Sequence, residues 1–290
     1  MPIHSGVIDN PKADRIRKVS DLSSRKRREE YGRFCIEGPQ AVREAITYRP
    51  EIIGDLFVQV NESDGHIDVV SPVVESLQEL SQESGIYVHH VTERVMHRIS
   101  TDSQGILAVA DSAALQVDVN DLAISPKAMI AAFWQIRDPG NAGTVIRAAD
   151  ASGCDVVVFV DDCVDVLNPK VVRSSVGSLF HIPVVTLSSE EFFQWTSKFG
   201  ASVNAADVYG LEGRPAIQLP ELLEQEATTQ DQPRAFLFGN EARGLPEHIL
   251  KQVHRTVYIP MYGKAESLNL ATSAAILLHT VAMSSHFERI

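Results

Sequence analysis

Three short segments of the 290-residue chain carry side chains that do chemistry when a fold brings them together. The first, Asp138-Pro-Gly-Asn-Ala-Gly-Thr-Val-Ile-Arg147, sets Asn141 six residues before Arg147. It has neither the G-x-G-x-x-G spacing of a dinucleotide fingerprint nor a Walker lysine, which disfavours cradles for NAD and ATP phosphates. What it offers is an amide at a helix start and a guanidinium. Asn141 serves equally well as a helix N-cap, and Arg147 as a solvated charge. Arg147 is nevertheless flanked by Ile146, Ala148 and Ala149, and an arginine buried there needs an anionic or polar partner. The second segment, Phe238 to Pro246, places Gly239 and Gly244 five apart around Glu241, directly after an apolar strand. Glycine lets backbone approach a ligand or take positive φ. A tight loop would explain the glycines but not the carboxylate. The third segment runs from Ile259 to Asn269 and holds Met261, Ser267 and Leu268; here Ser267 is a helix N-cap or a site hydroxyl.

Those segments need a scaffold, and the composition supplies one. Hydrophobic residues make up 44% and charged residues 22%, a balance that buries a core and excludes disordered, collagenous and coiled-coil classes. Length divided by the usual domain size gives about two domains. No window approaches the ~18 apolar residues of a membrane span, and the N-terminal residues show no apolar run behind their charges, so no secretory signal is expected. Cys35, Cys154 and Cys163 are odd in number and lack metal-ligand spacing. Neither a disulfide framework nor a metal site is expected, and a reducing cytoplasm fits.

The formal net charge of -12 conceals an asymmetry. Residues 11–49 hold eleven Lys and Arg against six Asp and Glu, a local balance of +5, and the rest of the chain carries -17. Arg15, Arg17, Lys18, Arg25, Lys26, Arg27, Arg28 and Arg33 make this the candidate phosphate-binding segment, unless it is a solvated helix face.

The hydrophobic pattern divides the chain in two. The first half reads as a small α/β unit: a helix within Ser20–Glu30, strands at Phe34–Gly38, Asp55–Val60, Ile86–His90 and Ile106–Ala110, and helices opening at Pro39 and over Val73–Ser81. Residues 113–126 form an unpatterned linker ending in Ser-Pro. Beyond it, an apolar run over Ala128–Ile136, a helix over Ala142–Ala151 and an apolar strand at Asp155–Val160 make a βαβ unit, the mark of a parallel sheet covered on both faces. A helix from Asn168-Pro169 to Phe180 follows, with strands at Ile182–Val185, Ala201–Ala206, Ala235–Gly239 and Val257–Pro260 and a terminal helix over Ser267–Val281. Residues 211–232 read as a helix plus a surface loop. In such an open α/β sheet, ligands are expected at the strand carboxyl ends.

Taken in order, the three segments resemble the SpoU (TrmH-type) RNA ribose methyltransferases of the knotted SPOUT superfamily. Asn141 and Arg147 match the family's first motif. Gly239, Glu241, Gly244 and Leu245 match its second, Gly-x-Glu-x-x-Gly-Leu. Ile259-Pro260-Met261 with Ser267-Leu268-Asn269 match its third. Residues 168–177 look like its intermediate helix, and Glu37-Gly38-Pro39 with Gln104-Gly105-Ile106 look like its small substrate-binding domain. The resemblance implies an α/β fold with a deep C-terminal trefoil knot in residues 127–290, preceded by an RNA substrate-binding domain over residues 1–112. It also implies a homodimer with the cofactor site near its interface. S-adenosylmethionine would be held by the loops at Phe238, Gly239, Ile259, Met261, Leu268 and Asn269, without a metal, leaving S-adenosylhomocysteine. Arg147, Asn141, Glu241, Ser267 and Asn269 would form the catalytic group. Because a guanidinium keeps its proton near neutral pH, Arg147 is read as gripping the RNA phosphate and stabilising alkoxide charge.

The implied substrate is rRNA, 23S rRNA foremost. Alternatives are a tRNA ribose methyltransferase, an rRNA-methylating antibiotic-resistance enzyme, and a base methyltransferase, against which Ser-Leu-Asn argues. A non-catalytic RNA-binding protein is the reading from another class.

Overall fold

A computed structural model describes residues 6–63, 66–226, 232–240 and 243–285. The chain forms two compact units. One takes the residues up to Gln116 together with Asp165–His181; the other takes Val117–Val164 and the chain from Ile182 onward.

The first unit contains α1 (Asp14–Asp21), α2 (Arg25–Tyr31), β1 (Arg33–Glu37), α3 (Pro39–Tyr48), β2 (Ile53–Ser63), β3 (His66–Val69), α4 (Pro72–Glu83), β4 (Tyr87–Val91), α5 (Glu93–Ile99) and β5 (Ile106–Asp111). In the sheet β5 lies antiparallel between β1 and β2, while β2 also pairs with β3 and runs parallel to β4. Pro39 opens α3 at a position where its missing N–H has no helical partner, and Ala41, Val42, Ala45 and Ile46 are its buried face, as the spacing requires. Ile16, Val19, Phe57, Val91 and Leu107 build a core against one face of the sheet.

The second unit contains β6 (Met129–Trp134), α6 (Pro139–Ala151) and β7 (Val156–Val160); α7 (Pro169–Ser174) then belongs to the first unit. The chain returns as β8 (Val184–Leu187), α8 (Ser189–Lys198), β9 (Ser202–Ala206), the short strands β10 (Gly210–Leu211), β11 (Arg214–Pro215) and β12 (Ile217–Gln218), and α9 (Leu219–Glu226). It continues through β13 (Arg234–Phe238), α10 (Glu247–Leu250), β14 (Arg255–Tyr258) and α11 (Leu270–Ser285). Seven strands form one sheet in the order β12-β14-β9-β13-β6-β7-β8, every neighbouring pair parallel. Every residue of β6 and β7 is buried, the state in which continuous apolar runs survive as strands.

Several elements depart from the sequence reading. The helix expected to reach Phe180 stops at Ser174, because Val176 and Gly177 turn to positive φ, 53° and 98°. A Cβ at Gly177 would lie 2.2 Å from Cγ of Glu44, so the chain there passes directly over α3. The strand expected at Ile182 begins at Val184, and the last helix begins at Leu270 rather than Ser267. Helix α8 escaped detection although Ser188 and Glu191 form a capping box. Of the cysteines, Cys35 and Cys154 are buried and Cys163 is half-buried; burial pushes the Cys163 thiol up to about 11. Among the described residues no helix is long and apolar enough to cross a membrane.

Ion pairs fasten residues 165–181 into the first unit. Arg28 is 3% exposed. Its guanidinium donates to Asp165 Oδ2 at 2.5 and 3.1 Å and to the carbonyls of Leu22 and Ser23 at 2.8 and 2.9 Å. Arg173 Nη1 stands 2.8 Å from both Glu37 Oε2 and Asp102 Oδ2. Removing one member of a buried pair strands the other. Arg28→Ala is therefore expected to lower unfolding free energy by about 3–5 kcal/mol in urea titrations, whereas Lys26→Ala, on the exposed face of the same helix, changes it by less than ~0.5 kcal/mol.

Candidate functional site

The carboxyl ends of β9, β13 and β14 open into a cavity of about 1100 Å³. Phe238 and Gly239 reach it from the end of β13, Ile259 and Met261 from β14, and Ser267, Leu268 and Asn269 from the turn into α11. Six of these were expected as cofactor contacts and Ser267 as a catalytic group, so the structure gathers residues up to 31 positions apart into one wall. Phe238 is 1% exposed and stacks on Phe133 of β6 with ring centroids 5.1 Å apart, which seats the end of β13 on the core.

Gly239 is dictated by packing. A Cβ at this position would stand 2.5 Å from the carbonyl carbon of Gly244 and 2.8 Å from the nitrogen of Leu245. The loop thus closes on itself, with the Gly244 N–H donating to the Asn240 carbonyl at 2.8 Å. Asn240 Nδ2 also donates to the carbonyl of Gln135 at 2.8 Å, tying the loop to the end of β6. Glu241, expected in the catalytic group, lies outside the described residues, as does Ala242.

Asn141 is not the N-cap of α6. Asp138 takes that role, its Oδ1 accepting from the Asn141 N–H at 2.7 Å. The Asn141 side chain instead accepts at Oδ1 from Asn269 Nδ2, 3.1 Å away. Asn269 in turn caps α11, its Oδ1 accepting from the N–H groups of Ala271 at 2.9 Å and Thr272 at 3.3 Å. One side chain therefore caps the last helix and links it to the first turn of α6. Ser267, freed from capping, is an exposed hydroxyl in the cavity wall.

Arg147 stands apart from this group. Six residues beyond Asn141 on α6, it lies about 9 Å further along the helix axis. It is exposed, is not part of the cavity lining, and its side chain has no hydrogen-bond or ion-pair partner among the described residues. The partner that burial would have required is thus not needed within the chain.

Sequence reasoning missed the loop after β9. Asp207, Val208, Tyr209 and Glu212 line the cavity from that side, and Arg243 lines it from the loop after β13. The signal was available, since an apolar strand at Ala201–Ala206 ends in an Asp-x-x-Gly turn, but no motif marks it. Among the described residues no group of three or more His, Cys, Asp or Glu could hold a metal ion.

The basic residues of the first unit are mostly paired. Arg17 bonds Asp14 at 3.0 Å, Arg25 bonds Glu29 at 2.8 Å, Arg27 bonds Glu30 at 2.5 Å, and Arg33 stands 3.5 Å from Asp111. Arg15 Nη1 lies 3.3 and 3.4 Å from the ring nitrogens of buried His89. His89 is 2.7 Å from Asp55, and that bond holds the Asp55 carboxyl below its ordinary range. Lys18 and Lys26 are exposed. Arg28 departs from expectation: buried and paired with Asp165, it presents nothing to a phosphate.

The second unit is thus a parallel α/β sheet with a cavity at its carboxyl edge, lined by two of the motif-bearing loops and tied to the third through Asn269 and Asn141, the place where open α/β sheets bind ligands. Residues 128–279 match the SpoU rRNA Methylase family, and residues 13–108 match the MRM3-like substrate binding domain. The chain is 30% identical over 272 residues to the 23S rRNA (guanosine(2553)-2'-O)-methyltransferase RlmP of Bacillus subtilis, covering 94% of this chain and 97% of the relative. Among solved structures, an RNA 2'-O ribose methyltransferase superposes with a TM-score of 0.78 at 26% identity, covering 97% of this chain and 100% of that one. An AdoMet-bound rRNA methyltransferase from Sinorhizobium meliloti shares the fold with the same TM-score at 24% identity, each chain covered in full. The protein belongs to the SpoU rRNA methylase family.

The double duty of Asn269 gives a direct test. Asn269→Ala removes an N-cap and the link to Asn141, and is expected to lower stability by about 1–2 kcal/mol in urea unfolding.

Proposed function

We propose that the protein transfers a methyl group from S-adenosylmethionine to a ribose 2'-hydroxyl of 23S rRNA, leaving S-adenosylhomocysteine. The observation that carries this reading is the cavity in which the second and third motif segments meet, joined to the first through the 3.1 Å bond between Asn269 and Asn141. The Bacillus subtilis relative and the RNA 2'-O ribose methyltransferase named above act on the same chemical group.

The cavity suits the cofactor. Its volume of about 1100 Å³ accommodates a nucleoside with an amino-acid tail. Gly239 brings bare backbone to the wall, and the main-chain groups at Gly239, Ile259 and Leu268 are the donors and acceptors that adenine edges require. When bound, S-adenosylmethionine supplies an electrophilic methyl group with its own leaving group.

The chain's residues then have to bring the 2'-oxygen in line and support the charge that develops on it. Arg147 grips the phosphate beside the target nucleotide and stabilises that charge; its exposed and unpaired state suits a group whose partner arrives with the RNA. Asn141, held by Asn269, and the Ser267 hydroxyl position the ribose, and Glu241 orients Arg147 or its own loop. The first unit holds RNA backbone through Arg15, Arg17, Lys18, Arg25, Lys26, Arg27 and Arg33, while Arg28 serves the fold. The division of the chain into residues 1–112 for substrate, 113–126 as linker and 127–290 for methyl transfer belongs to the same proposal, with residues 165–181 of the last part packed in the first compact unit.

The protein acts in the cytoplasm as a homodimer, its C-terminal chain threaded as the family's trefoil knot. Along α11, Ala275, Ile276, His279 and Met283 form an exposed stripe, with Ile276 38% and Met283 54% accessible, and a second copy would cover it.

The test is transfer of labelled methyl from S-adenosylmethionine to unmodified rRNA and tRNA fractions. Label should enter rRNA at a ribose, and Arg147→Ala should slow it about 10²–10³-fold; a loss below tenfold would remove Arg147 from the reaction. RNA affinity should fall about tenfold or more between ~50 and ~200 mM salt, and filter binding across that range reads it.

A further inference from the structure

Two tyrosines are almost wholly in water: Tyr209, which lines the cavity, is 88% exposed, and Tyr262, next in the chain to the lining residue Met261, is 94% exposed. Neighbours on the same two loops are exposed as well, Val208 at 53% and Met261 at 38%. The loops leave the carboxyl ends of adjacent parallel strands, β9 and β14, which pair Ala206 with Val257. Exposed apolar side chains on two loops that leave neighbouring strand ends mark a recognition surface.

The Tyr209 backbone is held firmly. Asp207 Oδ1 accepts from the N–H groups of Tyr209 at 2.9 Å and Gly210 at 3.1 Å. The hairpin that follows, β10–β11, is pinned by Arg214, whose guanidinium donates to the carbonyls of Val253 at 2.6 Å and Leu250. A fixed backbone presenting a free ring is a pre-organised platform, and little conformational freedom remains to be lost on binding. Arg243 lines the same cavity, exposed and with no hydrogen-bond or ion-pair partner for its guanidinium among the described residues, and Lys264 is exposed two residues beyond Tyr262.

We propose that Tyr209 and Tyr262 form the stacking surface for unstacked bases of the target RNA at the cavity mouth, with Arg243 holding the adjoining phosphate. The proposal rests on the methyltransferase reading and adds how the nucleotide is held. A ribose presented to the cavity brings its base with it, and single-stranded bases are bound by stacking on aromatic faces with cations on the phosphates. The faces, rather than the hydroxyls, carry the interaction. These tyrosines are positioning residues.

The test uses the full chain, an unmodified 23S rRNA transcript, and the variants Tyr209→Ala, Tyr262→Ala, Tyr209→Phe and Tyr262→Phe. Each alanine variant should weaken transcript affinity and raise the RNA KM by about fivefold to a hundredfold, with kcat at saturating RNA much less affected. The phenylalanine variants should stay within about twofold of the parent, since a phenyl face stacks as a phenol does. Calorimetric affinity for S-adenosylmethionine and the sedimentation coefficient should not move. Unchanged RNA affinity in the alanine variants overturns the proposal, as does a phenylalanine variant as weak as its alanine counterpart. Loss of cofactor affinity would assign the rings to the cofactor, and loss of the oligomer would assign them to a second copy; either outcome also overturns it. If the transcript binds in this tyrosine-dependent way but receives no methyl group, the methyltransferase reading fails and the stacking surface stands. If the parent protein binds no transcript, both fall.

Discussion

A parallel sheet buried on both faces decides where anything polar can go in the second unit. Strands β6 and β7 are buried at every position and β13 at all but its first, so no side chain there can carry chemistry without leaving an unsatisfied group in the core. Parallel neighbours need crossover connections, so successive strands deliver their carboxyl ends to one edge. Polar residues kept out of the strands collect there. Asn141, Asn240, Asp207, Ser267 and Asn269 all lie just beyond strand ends or at the helix starts that follow them. The amides at this edge bind one another and the backbone before any substrate arrives, with Asn240 on Gln135 and Asn269 on Asn141. The cavity wall is therefore set by the fold, a condition for orienting a reacting group.

The fold of the second unit was legible because its strands are unbroken apolar runs, a pattern surface exposure would not permit. Two kinds of feature were hidden. Elements whose pattern is short or set by tertiary packing, such as α5, α10 and β3, leave no periodic trace. The end of α7 was hidden for another reason: residues 168–180 look helical throughout, and only the proximity of Glu44 to Gly177 reveals why the chain must turn there. At the site, the motif spacing identified the loops that meet. It did not reveal which asparagine caps which helix, because Asp138 and Asn141, like Ser267 and Asn269, are interchangeable in a cap by composition. The geometry selects Asp138 and Asn269 and so releases Asn141 and Ser267.

The charge distribution shows a similar gap between composition and presentation. A local balance of +5 over residues 11–49 suggested a basic surface, but acids three or four residues away on the same helices bond Arg17, Arg25 and Arg27, and Arg28 faces inward. Exposed pairs of this kind are worth little energetically. They can exchange one anionic partner for another at small cost, so the segment stays available to phosphates. Arg28 cannot, and it belongs to the architecture.

That architecture has a consequence for how the protein emerges from the ribosome. Asp165 and Arg173 complete the pairs begun by Arg28 and Glu37, 137 and 136 residues earlier in the chain. At synthesis rates of about 5–20 residues per second, the amino-terminal unit waits roughly 7–30 s for those partners. During that interval β6, α6 and β7 are already outside or emerging, and Arg28 has only the carbonyls of Leu22 and Ser23. The first unit cannot close until residues 165–181 have followed β6, α6 and β7 out, so the order of translation and the order of folding diverge. For the same reason, a chimera that exchanges substrate domains has to carry Asp165–His181 along with the amino-terminal segment.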